Sequence, residues 1–135
     1  MIAALICVVS LAALCQLIGA YCRSILASSR RVELSDRVRE LAGFRGDSVG
    51  GNDFGRLLQL IRLCPERNED RGDIRAVGAY YSTLSALNRI ISPFVPQIAA
   101  WANRECAHCS YFAAVALDRR ISYSRDLFSQ QLGAA

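Results

Sequence analysis

The chain contains no lysine. All 16 basic residues are arginine, set against 12 carboxylates, and one histidine serves the whole 135 residues. A phosphate-cradling loop of the usual kind is therefore excluded. Gly46-Asp-Ser-Val-Gly-Gly51 begins such a spacing, but Asn52 and Asp53 stand where Lys and Ser/Thr are needed, and no strand precedes it. The scarcity of histidine leaves His108 as the only imidazole base beside six cysteines, and a Cys–His nucleophile also needs a third group to orient it. No stretch alternates apolar and polar residues between turn signals, so no sheet is expected. Internal repeats are absent as well.

A second absence is more telling. Met1 to Cys22 carry no charged side chain, and Arg23, Arg30 and Arg31 follow directly. About 21 helical residues cover the roughly 30 Å hydrocarbon core of a bilayer. A cleaved secretory signal has basic residues before a shorter apolar stretch and a small-x-small cleavage site. Here Met1-Ile-Ala-Ala is uncharged and the positive charge comes after the run, which points to an uncleaved anchor. Neither Cys15, preceded by Leu14, nor Cys22, preceded by Tyr21, has the small residue expected before a lipid-modified cysteine.

The excess of positive charge on one flank orients such an anchor. It places the Arg23, Arg30, Arg31 side in the cytoplasm and the N-terminus outside an inner (plasma) membrane of bacterial type. Cys64, Cys106 and Cys109 then face a reducing compartment as free thiols. Residues 23–45 hold six arginines against Glu33, Asp36 and Glu40, a placement suited to anionic headgroups. No dense basic patch interleaved with aromatics occurs elsewhere, so nucleic acid is not expected as a partner. Within the anchor, Ala12, Gln16, Gly19 and Ala20 share one helical face. Small residues let helices approach closely, and an embedded glutamine can hydrogen-bond a neighbour.

Beyond the anchor the pattern is helical throughout. The first helix is expected to continue to Ala42, with Ile25, Val32 and Leu41 on a loose apolar stripe, Glu33 paired with Arg37, and Gly43 as the stop. Five of the thirteen residues 43–55 are glycine, which reads as a connection. Asn52 or Asp53 can cap a short helix carrying Phe54, Leu57, Leu58, Ile61 and Cys64 on one side and ended by Pro65. After the charged turn Glu66–Gly72, Asp73 is expected to cap a helix over Ile74–Ser92. Its inner side is Ile74, Val77, Tyr80, Tyr81, Leu84, Leu87 and Ile91; its outer side is Arg75, Ala79, Ser82, Ala86 and Arg89. That amphipathicity and Pro93/Pro96 argue against a second span.

A long final helix is expected from about Gln97 toward Gln131. Its inward stripe is Ile98, Trp101, Ala102, Cys109, Phe112, Ala113 and Ala116. Asp118-Arg-Arg120 marks a kink or the edge of the core, and Leu127 and Phe128 resume contact. The reading is thus all-α: an anchor over 1–23, a juxtamembrane helix and linker over 24–53, and a body of about three helices over 54–135.

The densest cluster of reactive types is Glu105-Cys-Ala-His-Cys109. Cys106 and Cys109 have zinc-like spacing, yet a tetrahedral site takes two such pairs. The order is wrong for haem attachment, since His108 precedes Cys109. Glu105-x-x-His108 has the spacing of half a diiron bundle site, and the chain has no second pair. The competing reading makes Cys109 a small core residue, with Cys106 at the core's border and Glu105 and His108 at its rim. Glu105 itself lies near the middle of the wheel's apolar stripe, where an ion pair with an arginine would offset its burial. No catalytic residue and no cofactor are expected. The expected role is a non-enzymatic accessory or assembly subunit of a membrane complex. Its partners are the bilayer and other subunits, met through Ala12, Gln16, Gly19, Ala20, Arg23, Arg30 and Arg31. The alternative is a membrane-tethered metal or redox protein built on Glu105, Cys106, His108 and Cys109.

Overall fold

A computed structural model of the protein describes residues 1–42 and 50–135. The glycine-rich stretch 43–49, including Arg45, and the side chains of Arg37 and Leu41 lie outside the described residues, and with them the expected Glu33–Arg37 pair. The fold is all-α. Among the described residues five helices run in the order α1 (Ile2–Ser29), α2 (Asp36–Ala42), α3 (Phe54–Leu63), α4 (Asn68–Ile91) and α5 (Pro96–Ala134), with a 3-10 turn over Gly51–Asp53. No strand occurs among the described residues.

The core is organised around α5, which touches every other helix. Six consecutive residues, Phe112, Ala113, Ala114, Val115, Ala116 and Leu117, are buried, so protein surrounds the helix on all sides here. Four of the six are Ala or Val, whose small volume lets the neighbouring backbones close in. Phe54, Leu57 and Ile61 of α3 and Val77 and Leu84 of α4 pack onto this segment. Phe54 also stacks on Tyr81 with ring centroids 4.3 Å apart. Gly51 seats the 3-10 turn against α5, where a Cβ would meet the Cys106 Cβ at 3.4 Å and the Asn103 carbonyl oxygen at 3.6 Å. Its own carbonyl accepts hydrogen bonds from Tyr81 (2.8 Å) and Ser110 (3.4 Å), which ties α4 and α5 together. Farther along this antiparallel pair, Asn88 Nδ2 donates to Asn103 Oδ1 at 2.8 Å.

Helix α1 contacts both members of that pair. Tyr21 donates to Asp73 near the start of α4, whereas Arg23 lies over Trp101 near the start of α5. Because α4 and α5 are antiparallel, those two starts are at opposite ends, and side chains flanking Cys22 reach both. Only the last turns of α1 enter the body, burying Cys22, Leu26 and Ser29 at helical spacing. Residues 1–18 are all exposed.

Several expectations are corrected. The first helix does not continue to Ala42 but stops at Ser29, and α2 begins at Asp36. The Ser28 and Ser29 hydroxyls turn back onto the carbonyls of Ile25 (2.7 Å) and Leu26 (2.8 Å), competing with the helical ladder. The break lets Leu34 and Val38 drop into the core, while Val32 remains outside it. Tyr111 donates to the Val32 carbonyl and Ser35 donates to Asp118 Oδ1, both at 2.6 Å, fixing the turn against α5.

Helix α4 starts at Asn68, so Asp73 lies within it and most of the expected charged turn is helical. Glu69 and Asp70 sit in its first turn, where carboxylates favour the positive end of the helix and offset the roughly 1 kcal/mol cost of Gly72. The remaining inner and outer faces of α4 fall as expected, with Val77 and Leu84 buried and Arg75, Ala79, Ser82, Ala86 and Arg89 exposed. In α5, Ala99 takes the inward place expected of Ile98, which is exposed. The helix passes Asp118-Arg-Arg120 without interruption and extends to Ala134. Leu127 and Phe128 are exposed and do not resume contact with the core.

Candidate functional site

The residues singled out in the sequence fall into two places. Ala12, Gln16 and Ala20 are exposed on α1, and Gly19 has no side chain or foreign backbone within 4 Å of where a Cβ would stand. This face has no partner within the chain's described residues. Arg30 and Arg31 form the exposed turn after α1, the Arg30 amide closing the helix onto the Leu26 carbonyl.

The other residues converge where α1 meets the body. The Arg23 guanidinium carbon lies 5.5 Å from the centroid of the Trp101 ring, a cation–π arrangement worth about 0.5–2 kcal/mol depending on how far it is desolvated. Beside it Tyr80 donates to Glu105 Oε2 at 3.3 Å. Glu105 is half-buried, less enclosed than a place near the middle of the apolar stripe implies, and its partner is this phenol; no ion pair to an arginine is formed among the described residues. Burial raises the Tyr80 pKa, with the Arg23 cation working against the shift and the Glu105 carboxylate adding to it. Tyr80 thus stays a phenol and keeps donating.

His108 is half-buried on the same side of α5. Burial and the nearby Arg30 and Arg104 charges lower its pKa, with Glu105 opposing them, so the neutral imidazole is favoured. Cys106 and Cys109 are both buried, Cys109 completely. Burial, reinforced by Glu105, raises the Cys106 pKa. The Cys109 pKa is pushed up to about 12, chiefly by burial and then by neighbouring Cys106 and Glu105. A thiol in that environment is neither a nucleophile nor a ready metal ligand. Among the described residues no three His, Cys, Asp or Glu side chains are placed to hold one metal ion.

Two participants had no place in the sequence reading of a site. By periodicity alone Trp101 and Tyr80 are core-facing residues, yet Trp101 receives Arg23 and Tyr80 donates to Glu105. Their signal was weak: an indole and a phenol on apolar stripes that also carry polar tips. Neither a family model, nor a curated protein, nor a solved structure matches the chain.

Proposed function

We propose that the protein is a single-pass inner-membrane protein, with its N-terminus outside and its helical body in the cytoplasm, that serves as an accessory or assembly subunit of a larger membrane complex. One observation carries the reading. Helix α1 is long and apolar enough to cross a membrane, and none of its apolar window is buried against the rest of the chain. Leu5, Val8, Leu11, Leu14, Leu17 and Ile18 are each at least half exposed, a cost in water that lipid removes. The Arg23–Trp101 pair where α1 meets the body suits a headgroup layer, in which arginine and indole are both at home. The uncovered Ala12, Gln16, Gly19, Ala20 face supports contact with a second membrane helix. The α5 extension adds Leu127, Phe128 and Leu132 as a further uncovered apolar stripe.

The test is gentle solubilisation of the tagged full chain, followed by identification of the proteins that copurify, together with a reporter fused after Ala135. The reading expects a stoichiometric membrane-protein companion that is lost on Gly19→Leu or Gln16→Leu, and a reporter active only in the cytoplasm. A lone monodisperse monomer, or a reporter active in the periplasm, overturns it.

A further inference from the structure

Away from α1, a cleft of about 340 Å³ opens between α3 and α4. Arg62, Arg71, Arg75 and Arg120 line it, with Leu58 and Ile74 among the apolar residues at its wall. Arg120 comes from α5 and is only 5% exposed. Its Nη1 donates to the Ile61 carbonyl at 3.0 Å, but its Nε has no partner. Arg120 makes no ion pair among the described residues, and neither do Arg62 or Arg75; Arg71 has a long contact of 3.9 Å with Glu66, which also borders the cleft. The buried carboxylate oxygen of Asp70 that lacks a partner is not part of this lining.

Four guanidinium groups against one carboxylate leave an uncompensated positive cleft. Burying the Arg120 charge without an anion is unfavourable, so an anion seated there relieves a cost already present in the fold. Planar guanidinium forks match the several oxygens of a phosphate better than the two of a carboxylate, which one arginine can satisfy. The volume exceeds that of a bare phosphate, and Leu58 and Ile74 offer the remainder an apolar surface.

We propose that the α3–α4 cleft binds a phosphate ester bearing a short apolar group, its phosphate held by Arg62, Arg71, Arg75 and Arg120. The ligand comes either from an anionic phospholipid headgroup or from a soluble organic phosphate. The site does not rest on the membrane reading, because every residue in it belongs to the helical body.

The test uses the full chain in maltoside micelles, which carry no phosphate, titrated calorimetrically with hexyl phosphate and with inorganic phosphate. One saturable site is expected, at least about tenfold tighter for hexyl phosphate, and weakened at least about tenfold in the Arg62→Gln/Arg75→Gln variant. Both of those arginines are exposed, so the helical circular-dichroism signal stays unchanged. Micelles doped with phosphatidylglycerol then separate the sources: lost hexyl phosphate binding marks the lipid headgroup as occupant, and undiminished binding marks a soluble ester. Either result supports the site. Absence of saturable hexyl phosphate binding, or equal binding by the folded double variant, overturns it. Should the double variant lose its helical signal, Arg75→Gln alone carries the same comparison.

Discussion

Two stretches of this chain are apolar on every side of a helix, and they reach opposite ends. Residues 2–18 of α1 are Ile, Leu, Val, Ala and Cys apart from Ser10 and Gln16 and are exposed throughout, whereas residues 112–117 of α5 are buried throughout. A helix apolar all round needs a non-aqueous environment, and it can find it in lipid or in protein. Side-chain size separates the two cases. The α5 stretch relies on Ala113, Ala114, Val115 and Ala116, so other helices approach from several directions. The α1 stretch places large side chains at Leu5, Val8, Leu11 and Leu14, which hold neighbouring backbones apart and suit disordered acyl chains.

The contrast can be broken most forcefully in α1. Replacing Val8 and Leu11 by arginine puts two charges near the middle of the apolar run, at about 5–7 kcal/mol of insertion free energy for the pair. The double variant is expected to leave the membrane fraction on carbonate extraction, while urea unfolding of its body is unchanged. Retention in the membrane would count against α1 as the anchor.

The same comparison is sharpened with paired truncations. Leu117→Ala empties a site that is 1% exposed and is expected to lower stability to urea by about 2–5 kcal/mol. Leu11→Ala removes as many atoms from a position that is 62% exposed, and no shift in body unfolding is expected. Equal effects would mean that α1 packs on the body farther than the described contacts extend.

Protonation probes the seam between the two helices. The Cys109 pKa is raised to about 12, above the ordinary value near 9 that it regains on unfolding. Its contribution is therefore complete below about pH 9 and is lost as pH rises toward 12. Cys109→Ala flattens the alkaline fall in stability, and the native thiol resists iodoacetamide at pH 8 until the body is unfolded. His108 titrates with the other sign. Its folded pKa lies below the unfolded value of 6.5, so stability is full above that pH and falls as pH drops through the folded pKa. His108→Gln removes that acid slope.

The smallest expected effect is at Arg23. Arg23→Ala deletes the cation over Trp101, at about 0.5–2 kcal/mol. Trp101 is the chain's only tryptophan, so its emission reports the change directly. A spectrum identical to that of the unaltered protein would mean that the stacked geometry does not persist in solution.

Much of the architecture was legible in advance. The α3 stripe of Phe54, Leu57 and Ile61, both faces of α4, and the break at Pro93/Pro96 all follow from 3.6-residue periodicity and from proline's missing donor. The errors gathered where a local signal competed with a distant one. Ser28 and Ser29 are common in helices, and only the presence of α5, with Tyr111 and Asp118 as partners, makes a turn there favourable. Asp73 looked like a cap because the sequence around it is polar, yet Glu69 and Asp70 start α4 earlier. Of the candidate site, the Glu105 anomaly was visible on the wheel, but Tyr80 as its donor was not, since 25 positions separate them.

Local chemistry alone settled the helical class, the long apolar first helix and the inner faces of α3 and α4, because spacing along the chain dictates which side chains share a surface. Tertiary structure decided what that spacing cannot encode: the docking of the end of α1 against both α4 and α5, the meeting of Arg23 with Trp101, and the gathering of four arginines around one cleft. Those contacts join residues from different helices, and their geometry depends on how closely the small side chains of α5 let the other helices approach.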